Sequence, residues 1–125
     1  MKVFNGTPHN VVIINKESCI FDTSLRKWVS SNPDIIKTIS SNGALSAKIE
    51  TKEDLNNYTG IPVYEKTVTG CDDIPEAEVI ICSMLYVSAC RKLGKDTSNL
   101  YTVADTVYSI DGKTILGCLG ICPAF

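Results

Sequence analysis

The chain has 125 residues, 44% of them apolar, with 12 Lys and Arg set against 14 Asp and Glu for a net charge of −2. That length predicts a single domain over residues 1–125, large enough for a core and too small for two. The scattered, nearly balanced charge predicts no partnership with duplex nucleic acid, which asks for a basic face.

No apolar run approaches the roughly 20 residues that cross a bilayer. The opening residues Met1-Lys2-Val3-Phe4-Asn5-Gly6 hold no signal-peptide core. The sequence therefore predicts a cytoplasmic protein with no membrane partner. In that compartment Cys19, Cys71, Cys82, Cys90, Cys118 and Cys122 are expected to be reduced. Cys118-Leu119-Gly120-Ile121-Cys122 lacks a second ligand pair and sits in an apolar run, so buried thiols are expected there rather than a metal. Asn57-Tyr58-Thr59 matches a glycosylation pattern that the same compartment would leave idle.

In chain order, residues 2–5 and 11–15 read as strands, the second too apolar for an exposed edge. Between them Asn5-Gly6-Thr7-Pro8-His9-Asn10 combines a glycine, a proline that pushes Thr7 extended, and the one histidine. A loop stiffened in this way can aim Asn5, Thr7, His9 and Asn10 at a polar ligand. Residues 19–28 fit neither period. Ser30-Ser31-Asn32-Pro33-Asp34 is a break. Strands are then expected at 35–40, at 44–51 with Leu45, Ala47 and Ile49 on one side, and at 61–69.

Residues 79–82 form an unbroken apolar run of the kind that is buried on both faces. The period then changes: Leu85, Ala89, Cys90 and Leu93 fall at helical spacing, with Ser83 as N-cap and Gly94 as the stop. Residues 99–103 and 106–110 look like two strands separated by a turn at Asp105. Asp111-Gly112 reads as a hairpin turn into 113–122. About seven or eight strands and one main helix predict an α+β fold with a mixed, largely antiparallel sheet.

Three polar clusters are candidates for chemistry. His9 offers a base or an anion contact, although turn-shaping explains it as well. Ser83 stands at a helix start, where free N–H groups attract phosphate and where ordinary caps also occur. Tyr101, Asp105 and Thr106 could stack on a base and bond a ribose hydroxyl or amine, or make a satisfied turn. No phosphate-binding glycine motif is present. A Ser83, His9, Asp105 triad can be written, but no nucleophile elbow surrounds Ser83. No catalytic residue, metal site or cofactor is assigned.

Asn5-Gly6-Thr7-Pro8-His9, the Gly43 and Gly60 segments, Ile80-Ile81-Cys82-Ser83 with its helix, and Asp105 through Asp111-Gly112 to Gly117 form an ordered set. That set resembles small proteins of tailed bacteriophages that begin with an Asn-Leu-Thr-Pro-His-like segment. Gly6 stands where those proteins carry an aliphatic residue. More remotely, the architecture is similar to phage anti-defence proteins, oligomeric sponges that sequester cyclic nucleotide signals. The resemblance implies a homo-oligomer in the host cytoplasm that holds a small phosphorylated or nucleotide-like molecule without turnover. Asn5, Thr7, His9, Ser83, Tyr101, Asp105 and Thr106 would be its ligand-binding residues. The alternatives are a metal-independent nucleotide hydrolase or cyclase with His9 as base, and a module that inhibits a host enzyme by shape and charge.

Overall fold

The computed structural model describes residues 1–124. Within them the strands are β1 (Val3–Asn5), β2 (Val11–Ile14), β3 (Ile20–Asp22), β4 (Lys27–Val29), β5 (Ile35–Ile39), β6 (Ala47–Glu53), β7 (Tyr64–Cys71), β8 (Val79–Ile81), β9 (Leu100–Tyr108) and β10 (Ile115–Pro123). One 3-10 turn (Lys16–Ser18) precedes β3, and helix α1 (Met84–Lys92) joins β8 to β9. The fold is α+β. Eight strands make one mixed sheet whose main path is β1-β8-β9-β10-β2-β5, with the β3–β4 hairpin attached to β9 through β4. The longest pairings, β9 with β10 and β6 with β7, are antiparallel.

The main path curls until its ends nearly meet. Asn5 Nδ2 at the end of β1 donates to the Ile39 carbonyl at the end of β5, 3.0 Å away. Asn42 N donates to Asn5 O at 2.8 Å, which carries the seam one step further. The result is a nearly closed, barrel-like sheet. β8 lies inside it and faces two clusters at once. Ile80 joins Tyr86, Val87, Cys90 and Leu100 beneath α1, while Ile81 joins Val11 and Cys118. This double burial is what its unbroken apolar run predicts. A third cluster, Ile14, Cys19 and Val107 with Trp28 and Leu116, fills the space under β4.

Helix α1 begins and ends where the sequence indicates. Ser83 Oγ accepts from Tyr86 N at 3.2 Å, and Gly94, at φ 74°, closes the other end. The buried face differs from expectation. Ala89 and Cys90 are inside, but Leu85 and Leu93 are 56% and 42% exposed, and Tyr86 and Val87 take their places. The Tyr86 hydroxyl donates to the Asp72 carbonyl at 2.8 Å, so this ring can be buried at no polar cost and turns the helix toward it.

Three further expectations are corrected. Residues 100–108 form one strand, not two separated by a turn, and the register with β10 is the same on either side of Asp105. The hairpin strands β6 and β7 begin about three residues later than their alternation suggests. Leu45 N and Ser46 N are already committed to Gly6 O and Asp72 Oδ2, and Pro62 has no N–H to give. The unassigned stretch 19–28 is a hairpin: Asp22 Oδ1 accepts from Ser24 N and Leu25 N, and Phe21 meets Trp28 edge-on at 5.5 Å. Among the described residues no helix is long and apolar enough to cross a membrane.

The core thiols make stability sensitive to alkali. Burial, with Cys90 nearby, pushes the Cys82 thiol from 9.0 up to about 11, and burial likewise raises Cys118. Below pH 9 both folded and unfolded chains keep these protons, so the contribution is constant. Between about 9 and 11 the unfolded chain loses them first, and stability falls. Cys82 alone is expected to cost about 2 kcal/mol across that window. A flat denaturation midpoint from pH 8 to 11 would contradict this.

Candidate functional site

The loop between β1 and β2 is organised by Asn5. Its side chain is fully buried. Nδ2 donates to the carbonyls of both His9 and Ile39 at 3.0 Å, and Oδ1 accepts from Thr7 N at 3.0 Å and from the Thr7 hydroxyl at 2.6 Å. An amide used on every side cannot also contact a ligand, so Asn5 is the frame of the loop rather than part of its reading surface. Gly6 does not use the backbone freedom that glycine allows. Its φ is not among the positive values; a side chain there would meet Leu45 Cδ1 at 2.6 Å and the Ile81 carbonyl at 3.1 Å. Glycine is present for close approach to β8, not for unusual angles.

With its backbone pinned, the loop presents Thr7, His9 and Asn10 to a groove of about 230 Å³. Val11, Val12, Val103, Ile115 and Cys118 make it mainly apolar, and Thr106 completes it. The His9 carbonyl accepts from Asn5 and shares the single Thr7 hydroxyl proton with Asn5 Oδ1, while the His9 ring stands exposed at the rim.

Thr106 also lines a second hollow, of about 340 Å³, on the side of the β3–β4 hairpin. Its other walls are Phe21, Arg26, Lys27, Trp28, Asp105 and Tyr108. Lys27 Nζ lies 4.4 Å from the centre of the Tyr108 ring and donates to the Gly112 carbonyl at 3.0 Å. That carbonyl belongs to a turn held by Asp111, whose carboxyl is kept below its ordinary range by the Ser109 hydroxyl and Lys113 N–H. Lys16 Nζ stands 5.1 Å from the centre of Trp28. Ammonium groups so placed gain from the ring quadrupole, and Lys27 thereby keeps a cation in the wall of the hollow.

Arg26 and Asp105 are the only non-glycine residues with positive φ among those described, at 55° and 48°. Both line this one cleft. Asp tolerates such angles better than most, whereas Arg26 pays about 1–2 kcal/mol for them. Strain of this kind gathers where a site needs a side chain aimed in a set direction. The one ion pair among the described residues joins Lys95 and Asp73, so none of the three charges in the cleft, Arg26, Lys27 and Asp105, is ion-paired with another.

The seven residues singled out from sequence thus part company. Thr7, His9 and Thr106 meet in the groove, and Asp105 and Thr106 in the cleft. Ser83 lies outside both and serves as the helix cap. Tyr101 lines neither hollow. It pairs in register with Ile81 and Pro123, four positions from Asp105, and about 13 Å of unbroken strand separates the two. Phe21, Arg26, Lys27, Trp28 and Tyr108 were not legible as a site, although Phe21 and Trp28 flanking Asp22-Thr23-Ser24 with the Arg26-Lys27 pair is a signal that could have marked it.

No protein-family model matches the chain, and no curated protein or solved structure matches it either.

Proposed function

We propose that the protein binds and retains a small phosphorylated or nucleotide-like molecule across the groove and the cleft, which share Thr106, without turning it over. The observation that carries this reading is the presence of Arg26 and Asp105 in one cleft walled by aromatic rings, both at left-handed backbone angles. Arg26 and Lys27 suit a phosphate, and Trp28 and Tyr108 suit a flat base. Asp105 and Thr106 suit hydroxyl or amine groups, and His9 stands at the far rim. The two hollows together match the size of ordinary small-molecule sites.

Retention is best served by a second subunit. The β6–β7 arm supports a homo-oligomer: its tip exposes Leu55, Tyr58, Ile61 and Tyr64, with Tyr58 98% exposed. A two-stranded ribbon is marginal alone, and exposed apolar patches mark contact surfaces. On the sequence resemblance, the proposal extends to a phage protein in the cytoplasm of its host, where it withdraws a nucleotide signal from a defence pathway.

Arg26→Gly tests the reading because it separates binding from stability. Losing a charge-assisted bond to phosphate, worth about 1.5–3 kcal/mol, should weaken binding by about tenfold or more. Relief of backbone strain should leave the melting temperature equal or higher. Calorimetry with mononucleotides and cyclic dinucleotides reads both proteins, and equal affinities would overturn the assignment. Consumption of the nucleotide by substoichiometric wild type would instead favour an enzyme with His9 as base.

A further inference from the structure

Cys71 ends β7 and Cys90 lies within α1, yet their Sγ atoms are 3.7 Å apart. The other four thiols have oxygen neighbours: Cys19 the Asn15 carbonyl, Cys82 that of Tyr101, Cys118 that of Val12, and Cys122 the Thr102 hydroxyl. Cys90 is sealed beneath the helix, while Cys71 is only partly covered. Lys95 Nζ stands beside Cys71 and 3.7 Å from Asp73 Oδ1. Desolvation pulls this ammonium down, but Cys71, Asp73 and Cys90 outweigh it and keep the group above its ordinary value. A cation beside the more accessible sulfur stabilises the negative charge that develops there as it attacks an oxidant.

We propose that Cys71 and Cys90 form a peroxide-responsive dithiol that closes into a disulfide and fixes the β6–β7 arm to α1. Cys71 gives up its proton and its sulfur attacks one peroxide oxygen; the O–O bond breaks, a sulfenic acid forms on Cys71, and the other oxygen leaves as water after taking a proton. Cys90 then gives up its proton and attacks the Cys71 sulfur; the S–S bond forms, the S–O bond breaks, and a second water departs. The two thiols lose two electrons and the peroxide gains them. The sulfurs need only move from 3.7 Å to about 2 Å. The new bond lies where the arm already meets the body, next to the paired Ser46 and Asp72 backbones and the Tyr86 hydroxyl on the Asp72 carbonyl. It does not depend on what fills the groove.

The test uses the native wild-type chain treated with equimolar hydrogen peroxide, then alkylated, digested and mapped by mass spectrometry. The expected product joins the Cys71 and Cys90 peptides, leaves four of the six thiols alkylated, reverts with dithiothreitol and melts several degrees higher. Lys95→Met should slow closure severalfold while the product stays the same. Six alkylated thiols after treatment, a different cysteine pair, or over-oxidised Cys71 without a link would each overturn the proposal.

Discussion

Asn5→Asp is expected to cost at least about 4 kcal/mol, enough to leave much of the protein unfolded if its total stability is in the usual range. The substitution keeps the acceptor that serves Thr7 but replaces Nδ2 by a carboxylate oxygen. That oxygen would face the carbonyls of His9 and Ile39, both 3.0 Å away, in a site with no solvent access. The Ile39 carbonyl would lose this donor, the His9 carbonyl would be left with the Thr7 hydroxyl alone, and an unpaired charge or an enforced proton would be buried beside them. Because one of these carbonyls belongs to β5 and the other to the loop, the seam of the barrel and the groove wall would fail together. Asn5→Ala should cost about 3 kcal/mol, while Pro8→Ala, at an exposed position, should cost less than about 1 kcal/mol. Urea denaturation followed by fluorescence of Trp28 reads all three. A loss for Asn5→Asp no greater than for Pro8→Ala would show that the proline stiffens the loop and the asparagine does not.

Gly117→Ala is expected to be nearly as damaging, at about 3 kcal/mol. A Cβ at Gly117 would lie 2.5 Å from the Val12 carbonyl and 2.9 Å from Ile14 Cδ1. The Ile14 side chain can turn aside, but the carbonyl is part of β2, and β10 would have to move away from it. Gly117 also lines the groove, so affinity should fall together with stability. Gly120, further along the same strand, provides the control, because a Cβ there would meet nothing within 4 Å. Gly120→Ala should change stability by less than about 1 kcal/mol. Similar denaturation midpoints for the two alanine variants would contradict the close packing of β10 on β2.

The features legible in the sequence are those that local chemistry decides. Val79-Ile80-Ile81 announces a strand buried on both sides, and Ser83 and Gly94 bracket the helix because capping needs only near neighbours. The Asn5 loop was visible as a stiff polar segment. Its cause was not, because the partners that hold Asn5, Ile39 and Asn42, lie more than thirty positions away in sequence. The same limit explains β9. Ala104-Asp105-Thr106 reads locally as a turn, but pairing with β10 on both sides carries the strand through and forces Asp105 alone into left-handed angles. Arg26 carries no mark of its conformation, since nothing about an arginine announces a positive φ. The aromatic cleft arises only when the β3–β4 hairpin folds onto β9, which brings Phe21 and Trp28 toward Tyr108.

Native mass spectrometry of the protein after incubation with a bacterial small-molecule extract, run beside Arg26→Gly, decides whether the cleft retains a ligand. Wild type is expected to hold an intact phosphorylated molecule, released unchanged on denaturation, and Arg26→Gly to hold little or none. Wild type emerging empty, or both proteins holding the same molecule to the same extent, would contradict retention through the Arg26 cleft.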